Sequence, residues 1–486
     1  MKPTLFAARL REWARRDRHP PAIVTADGSI GYAQFCARAE RCAHWLAAEG
    51  CRPTETVGVT IGDETTHLVV SVALLFLGVP QVALQTAETP EVRVARAARL
   101  GVRRLVATDP AHALPGLRLS RPPAEVLTAA PVGEACEALN DDPDASAIIV
   151  TSSGTTGEAK LLALSQRMLA IRAAVRLFRP GTRMLMLGSV EDYPAKMGRL
   201  LGLYEGVTAV LRPDAIGSFS DVPAWCERFG VDRLDVGLLQ AIDLAPDPGG
   251  ARRLPTGITV FVGGTRVPAS LRLAYQAAGS RLLVEYGARE VSGITCTYPV
   301  DADPRQESAG IVLADVELEI LDEHGERVAP GAIGEMRVRR PGMVSGYVDD
   351  PVATAARFRD GWFHTGDLAS IAEDGSLRIH GRRDDRMNLG GIKVYPAEIE
   401  RVLEAVPGIA AVAAFAVRSE LHGEIPVAAV EAREGATIDA AAVTAQARAA
   451  LGVRAPRRVI VVERLPRNAA GKVLIRELEP LFAPRR

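Results

Sequence analysis

The sequence predicts an α/β fold: a large N-terminal domain with mixed and parallel sheets, helices and a β-rich subdomain, then a small mobile α+β C-terminal domain. Three observations carry this. Short β-branched runs alternate with helical patterns over roughly the first 290 residues, as in parallel strands joined by crossover helices. From Val316 the texture becomes alternating and turn-punctuated, as in VELEILDEHGERV. At GRRDDR (381–386) charge is dense and the apolar pattern lapses, and a fresh set of elements follows. The expected division is therefore 1–383 and 384–486.

Residues 5–46 read as helices around a small strand pair near 22–32. A strand at 57–61, a helix at 64–77 and a strand at 82–83 follow, then a helix at 90–100 and a strand at 104–107. The apolar stretch LVVSVALLFLGVPQVAL (68–84) is shorter than the ~20 residues of a membrane span, and Gly78, Pro80 and Gln81 interrupt it. It reads as a buried helix running into a buried strand. SAIIVT (146–151) is a strand ending in a glycine loop, and 164–177 looks helical. Strands at 258–262 and 282–285 end in glycine-containing turns. A hairpin turns at 323–325, and strands at 335–339 and 376–380 continue the antiparallel character. Past the boundary, Pro396 marks a helix start, 409–417 is a strand, 440–451 a helix and 459–462 a strand.

Composition narrows the class. The 486 residues are 48% hydrophobic and 24% charged, which excludes disordered and fibrous chains. Lys and Arg total 58 against 59 Asp and Glu, so no large basic surface for nucleic acid is expected. The six cysteines include no Cys-x-x-Cys pair, so no zinc site is expected, and their sparseness suits a reducing, cytoplasmic setting. The N-terminus lacks the apolar stretch of a secretory signal.

Five motifs carry chemistry. TSSGTTGEAK (151–160) packs glycines and hydroxyls behind a strand, where backbone N–H groups can converge on phosphate oxygens and Lys160 adds charge. It does not fit the Walker A pattern. In EYGARE (285–290) an aromatic beside glycine can flank a flat base, and Glu290 can hold Mg²⁺. In GWFHTGD (361–367) Asp367, on a turn, can accept hydrogen bonds from a ribose diol. His364 has no nucleophile beside it and is expected to be structural. In GRRDDRMNLGGIKVYPAEIE (381–400) Arg382 can reach a phosphate or ribose, Asp384 and Asp385 form a hinge or are solvated, and Gly390 and Gly391 permit a sharp turn. In PRNAAGKVLIR (466–476) Lys472 can neutralise charge at a reacting carboxylate and phosphate.

The order and spacing of these motifs resemble the adenylate-forming superfamily: acyl-CoA synthetases, adenylation domains of nonribosomal peptide synthetases, and luciferases. The run GYVDDPVATAARFRDGWFHTGDL is more similar to acyl-CoA synthetases than to peptide-synthetase domains. The resemblance implies an N-terminal adenylation domain and a C-terminal lid. It implies that Thr151, Ser152, Ser153, Gly154, Thr155, Thr156, Gly157 and Lys160 hold the ATP phosphates. Gly263, Gly264, Tyr286 and Gly287 would surround adenine and the carboxylate substrate, Asp367 the ribose, and Arg382 the nucleotide. Glu290 would bind Mg²⁺, Asp384 would be the hinge, and Lys472 would bridge carboxylate and α-phosphate. A pantetheine thiol would arrive past Gly390 and Gly391. The implied reaction is activation of a carboxylic acid by ATP, then transfer to CoA. The alternative is loading of the phosphopantetheine of an acyl or peptidyl carrier protein. The chain stops just past the lysine motif, so no fused carrier domain is expected.

Three positions depart from the family pattern. Ala159 stands where proline is usual and Asn388 where lysine is common. Arg289 stands where threonine is usual, beside the metal carboxylate. It either pairs with Glu290 and weakens Mg²⁺ binding, or replaces the hydroxyl by contacting phosphate. Around the acyl pocket, Asp192, Tyr193, Lys196, Arg266 and Arg289 suggest a polar or acidic acid, unless these charges point to solvent.

Overall fold

The computed structural model describes every residue except 1, 17–18, 129–134, 152–159, 176–177, 213–218, 247–253, 298–307, 391, 420–422, 468–472 and 483–486. Ser152, Ser153, Gly154, Thr155, Thr156, Gly157 and Ala159 therefore lie outside the described residues, as do Gly391 and Lys472.

Among the described residues the strands form three sheets. The first is ordered Arg118–Ser120, Arg104–Ala107, Val57–Thr60, Gln81–Ala83, Ser146–Thr151, Leu161–Ser165. All of its pairings are parallel except the last. The second has a parallel half: Ile23–Thr25, Thr208–Val210, Arg183–Met186, Arg233–Val236, Thr259–Gly263 and Arg281–Ala288. It continues antiparallel through Ser292–Cys296, Gly310–Val312, Ser376–Arg382, Trp362–Ile371, Gly334–Arg339 and Glu317–Leu321. The third joins Ile392–Val394, Met387–Leu389, Gly423–Ala432, Ile409–Ser419 and Arg458–Val462. The chain passes from the second sheet to the third between Arg382 and Met387.

A layer of helices lies between the first two sheets. One core cluster combines the helices Leu5–Ala14, Tyr32–Ala48, Glu64–Leu77, Gln166–Val175 and Tyr193–Tyr204 with Ile148 and Leu162 from one sheet and Ile23 and Ala209 from the other. This position explains why Glu64–Leu77 is apolar all round: residues 67–77 are all buried. It is capped by Asp63, which accepts from Thr66 N at 2.8 Å. Among the described residues no helix is long and apolar enough to cross a membrane. The third sheet has its own clusters, one with the helices Pro396–Glu404 and Ala440–Leu451 and one closed by Leu478 and Phe482.

Several expectations need correction. Residues 161–165, read partly as helix, form the strand Leu161–Ser165, because LLALS pairs back on Ser146–Thr151. The helix begins only at Gln166. The strand expected at 282–285 runs through Tyr286 and Gly287, with a bulge between them. Asp367 lies within the strand Trp362–Ile371, not on a turn. The strand Glu317–Leu321 pairs with Gly334–Arg339, and only a single bridge, Leu321 to Arg327, closes its own turn. Gly423–Ala432, central to the third sheet, lies outside the strands expected from the sequence.

Gly78 ends the central helix in a left-handed conformation at φ +69°, and a Cβ there would lie 1.9 Å from the Asn140 carbonyl oxygen. Gly78→Ala is expected to destabilise the protein by about 2 kcal/mol or more, read by urea denaturation.

Candidate active site

The site is assembled around consecutive residues, Arg289 and Glu290, in the turn between Arg281–Ala288 and Ser292–Cys296. The turn is tight: a Cβ on Gly287 would lie 2.4 Å from the Ser292 carbonyl oxygen, so only glycine fits. A buried guanidinium holds this turn from below. Arg172, 1% exposed, donates Nη1 to the Arg289 carbonyl at 3.1 Å and Nη2 to the Glu290 carbonyl at 2.9 Å. Its Nη1 also reaches the Tyr193 hydroxyl at 3.1 Å, and its Nε the Gly342 carbonyl at 2.9 Å.

The two side chains then diverge. Arg289 donates Nη1 to the carbonyl of Thr151, where the first sheet enters the glycine loop, and its guanidinium lies 5.1 Å from the centre of the Tyr193 ring. Glu290, 8% exposed, accepts at Oε1 from the Tyr347 hydroxyl at 2.9 Å. Tyr347 in turn lies under Lys160, whose Nζ is 4.7 Å from its ring centre. The two ends of the loop, Thr151 and Lys160, are thus tied to neighbouring residues of one turn. Burial pulls the Arg289 pKa down, against the pull of Tyr193, Glu290 and Asp192. Burial and the Glu290 carboxylate push the Tyr347 phenol up, so it remains a donor.

A second group forms on the antiparallel half of the large sheet. The Tyr286 hydroxyl donates to Asp367 Oδ2, and Arg382 Nη1 donates to Asp367 Oδ1 at 3.1 Å. Asp367 and Arg382 are register partners on adjacent strands, which fixes the pair. Burial and the Asp367 charge hold the Tyr286 phenol well above its ordinary range. Gly263 ends the strand beside Arg281–Ala288, opposite Glu285, and Gly264 follows in the turn.

The remaining expected residues are dispersed. Asp192 sits at the N-terminal cap position of the helix Tyr193–Tyr204 without capping it, its carboxylate instead accepting from Gln85 Nε2 at 2.8 Å; burial raises its pKa despite Gln85 and Arg289. Lys196 is 3% exposed and does not face solvent: its Nζ donates to Gln81 Oε1 at 2.9 Å. Burial lowers its pKa to about 7, against the pull of Glu191. Arg266 pairs at 2.8 Å with Glu404 of the C-terminal helix. Asp384 lies 3.4 Å from Arg357, and Gly390 turns at φ +56° after Met387–Leu389. His364 is 7% exposed, with Nδ1 2.8 Å from Arg359 Nη2.

Sequence reasoning missed Arg172 and Tyr347. Arg172 lies on an Ala- and Leu-bearing helix, where it reads as a solvated cation. Tyr347 precedes a turn-forming VDDP, which gave no sign that it faces Glu290. Glu290 also fits the ligand chemistry of Mg²⁺: Tyr347 takes one oxygen, and a hard cation of this kind completes its shell from phosphate oxygens and water. Among the described residues no group of three or more His, Cys, Asp or Glu could hold a metal unaided.

Layered α/β sheets with a separate C-terminal sheet are the architecture of adenylate-forming enzymes. The AMP-binding enzyme family matches residues 10–348, and the AMP-binding enzyme C-terminal domain matches 398–472. The chain belongs to the AMP-binding enzyme family. It is 30% identical to a feruloyl-CoA synthase of an Amycolatopsis species over 96% of this chain and 97% of that one. It is 33% identical to an indoleacetate–CoA ligase of Aromatoleum aromaticum over 70% and 68%. Among solved structures, ATP-bound MatB from Rhodopseudomonas palustris superposes with a TM-score of 0.88 at 27% identity, over 99% of each chain. The amide bond synthetase McbA from Marinactinospora thermotolerans gives 0.88 at 26% identity, over 98% and 99%.

Two outcomes follow from burial. Arg172→Met removes donors from four acceptors, one buried and three partly buried, and is expected to cost about 3 kcal/mol or more in chemical denaturation. Lys196, with its folded pKa below the unfolded value, binds fewer protons than the unfolded chain between about pH 7 and pH 10, so stability rises with pH across that window. Denaturation series at stepped pH are expected to show this rise in the wild type and its loss in Lys196→Met.

Proposed function

We propose that this protein activates a small carboxylic acid with ATP as an acyl-adenylate and passes the acyl group to the thiol of CoA. The observation that carries this reading is end-to-end similarity to CoA ligases, over 96% of this chain for the feruloyl-CoA synthase. The site geometry supports it, because cationic groups flank the glycine loop while a strand-borne carboxylate and tyrosine stand apart from it, as a nucleotide's two ends require.

In the first step the loop, with Lys160 and Arg289 at its ends, orients the phosphates. Asp367 accepts from the ribose hydroxyls, and Arg382 holds its carboxylate in place. Glu290 would hold Mg²⁺ together with the phosphates, and the ion would supply charge neutralisation. Catalysis is positioning and neutralisation rather than covalent chemistry at the protein. In the second step the C-terminal unit, 384–486, swings about Asp384 relative to 1–383. It withdraws Lys472 and brings Gly390 and Gly391 toward the adenylate. The thiol attacks, AMP leaves, and closure keeps water from the adenylate. A cytoplasmic setting is inferred from the sparse cysteines, all six of them free and buried.

Two other acceptors are tested beside CoA. A carrier-protein pantetheine arm presents the same thiol. The likeness to an amide bond synthetase favours amines as a second reading. ATP–pyrophosphate exchange against a panel of acids, starting with aryl acids, reads the first step without any acceptor. CoA, carrier protein and amines then compete for the adenylate of the best acid. Exchange with no acid, in folded protein that binds ATP, would overturn the reading. Lys472→Ala is expected to cut exchange at least ~10²-fold while sparing thioester formation from supplied adenylate. Equal loss in both half-reactions would remove Lys472 from its assigned role.

A further inference from the structure

Arg289 stands where threonine is usual, and the structure separates the two roles open to it. Among the described residues no ion pair joins it to Glu290. Glu290 instead accepts from Tyr347, while Arg289 turns the other way, to the carbonyl of Thr151. The metal carboxylate is therefore left to its own partner, and the guanidinium is aimed at the root of the phosphate loop.

Its surroundings hold it there. Arg172 fixes the backbone carbonyl of Arg289 and, through the same Nη1, the hydroxyl of Tyr193. The Tyr193 ring faces the guanidinium at 5.1 Å and limits its orientation. Of the five donors, Nη1 is the one bonded among the described residues. Arg289 also stands between two substrate ends. Thr151 opens the phosphate loop, whereas Asp192 and Tyr193 begin the helix expected to face the acid.

We propose that Arg289 is a further catalytic residue of adenylation, its other N–H groups contacting the non-bridging oxygens of the α-phosphate. This rests on the adenylating function proposed above. An oxygen of the substrate carboxylate forms the bond to the α-phosphorus. The bond from that phosphorus to the oxygen bridging to the β-phosphate breaks, and its electron pair leaves on pyrophosphate. Charge on the α-phosphate oxygens is stabilised by a planar cation already in place, which a threonine hydroxyl cannot match. Arg289 and Lys472 thus share one task from opposite domains.

The test is ATP–pyrophosphate exchange by wild type, Arg289→Thr and Arg289→Lys, with monocarboxylic and dicarboxylic acids that the wild type accepts. Arg289→Thr is expected to lower kcat about 10²-fold, with KM for ATP and for acid each within about threefold, equally for all acids. Arg289→Lys is expected to regain about tenfold of that loss. A rise in KM for ATP at unchanged kcat would reduce Arg289 to a brace for Thr151. Loss confined to dicarboxylic acids would make it a reader of the substrate's second carboxylate. Either result overturns the proposal, as does full activity in Arg289→Thr. Should Arg289→Thr not fold, a tenfold kcat loss in Arg289→Lys at unchanged ATP KM supports the role, and unchanged kcat overturns it. A wild type without exchange on any acid overturns the adenylating function and this role together, whereas an active wild type confines failure to Arg289.

Discussion

One buried guanidinium holds the site in register. Arg172 spans the helices Gln166–Val175 and Tyr193–Tyr204, the turn at 289–290 and the loop at Gly342. A charge this deep is tolerated because carbonyl and hydroxyl oxygens surround it, and these oxygens would themselves be costly to bury unpaired. The Arg289 side chain then reaches one end of the glycine loop directly, and Glu290 meets the other through Tyr347. A shift of the turn would move both anchors at once, so the helical layer sets the geometry of a site built on strand ends.

What the sequence reveals and hides follows from the range of each interaction. Glu64–Leu77 is legible because its cap, apolar body and terminal glycine are local signals. The glycine loop is legible because its composition is unusual. The pairing of Asp367 with Tyr286 is hidden because it joins side chains far apart along the chain: the Tyr286 hydroxyl meets a carboxylate 81 residues away. Leu161–Ser165 became a strand through pairing with Ser146–Thr151, which overrode a helical pattern continuing from it. Lys196 and Arg172 look like ordinary surface cations, and only tertiary packing shows that both are enclosed. Arg266 turned out to bind a helix of the C-terminal part.

The join between the two parts has its own physics. Arg266 with Glu404 and Lys393 with Glu323 are ion pairs linking residues on either side of 384, and Asp384 itself faces Arg357. The Lys393 pair is more than half exposed, and such pairs contribute about 1 kcal/mol or less each. The third sheet closes its own core, so separation would not expose an unfinished one. The movement proposed for 384–486 would break the Lys393 pair at little cost, whereas the half-buried Arg266 pair would resist it more.

The single antiparallel pairing in the first sheet has an electrostatic consequence. In many phosphate sites a glycine loop runs straight into a helix, whose aligned peptide dipoles present about half a positive charge to the anion. Here the chain resumes after Lys160 as the strand Leu161–Ser165. The next helix begins at Gln166, about 17 Å away at roughly 3.4 Å per strand residue, on the far side of the sheet end. Its macrodipole falls off within a turn and does not extend to Thr151 or Lys160. Full positive charge beside this loop is instead carried by side chains at its two ends, Lys160 and Arg289.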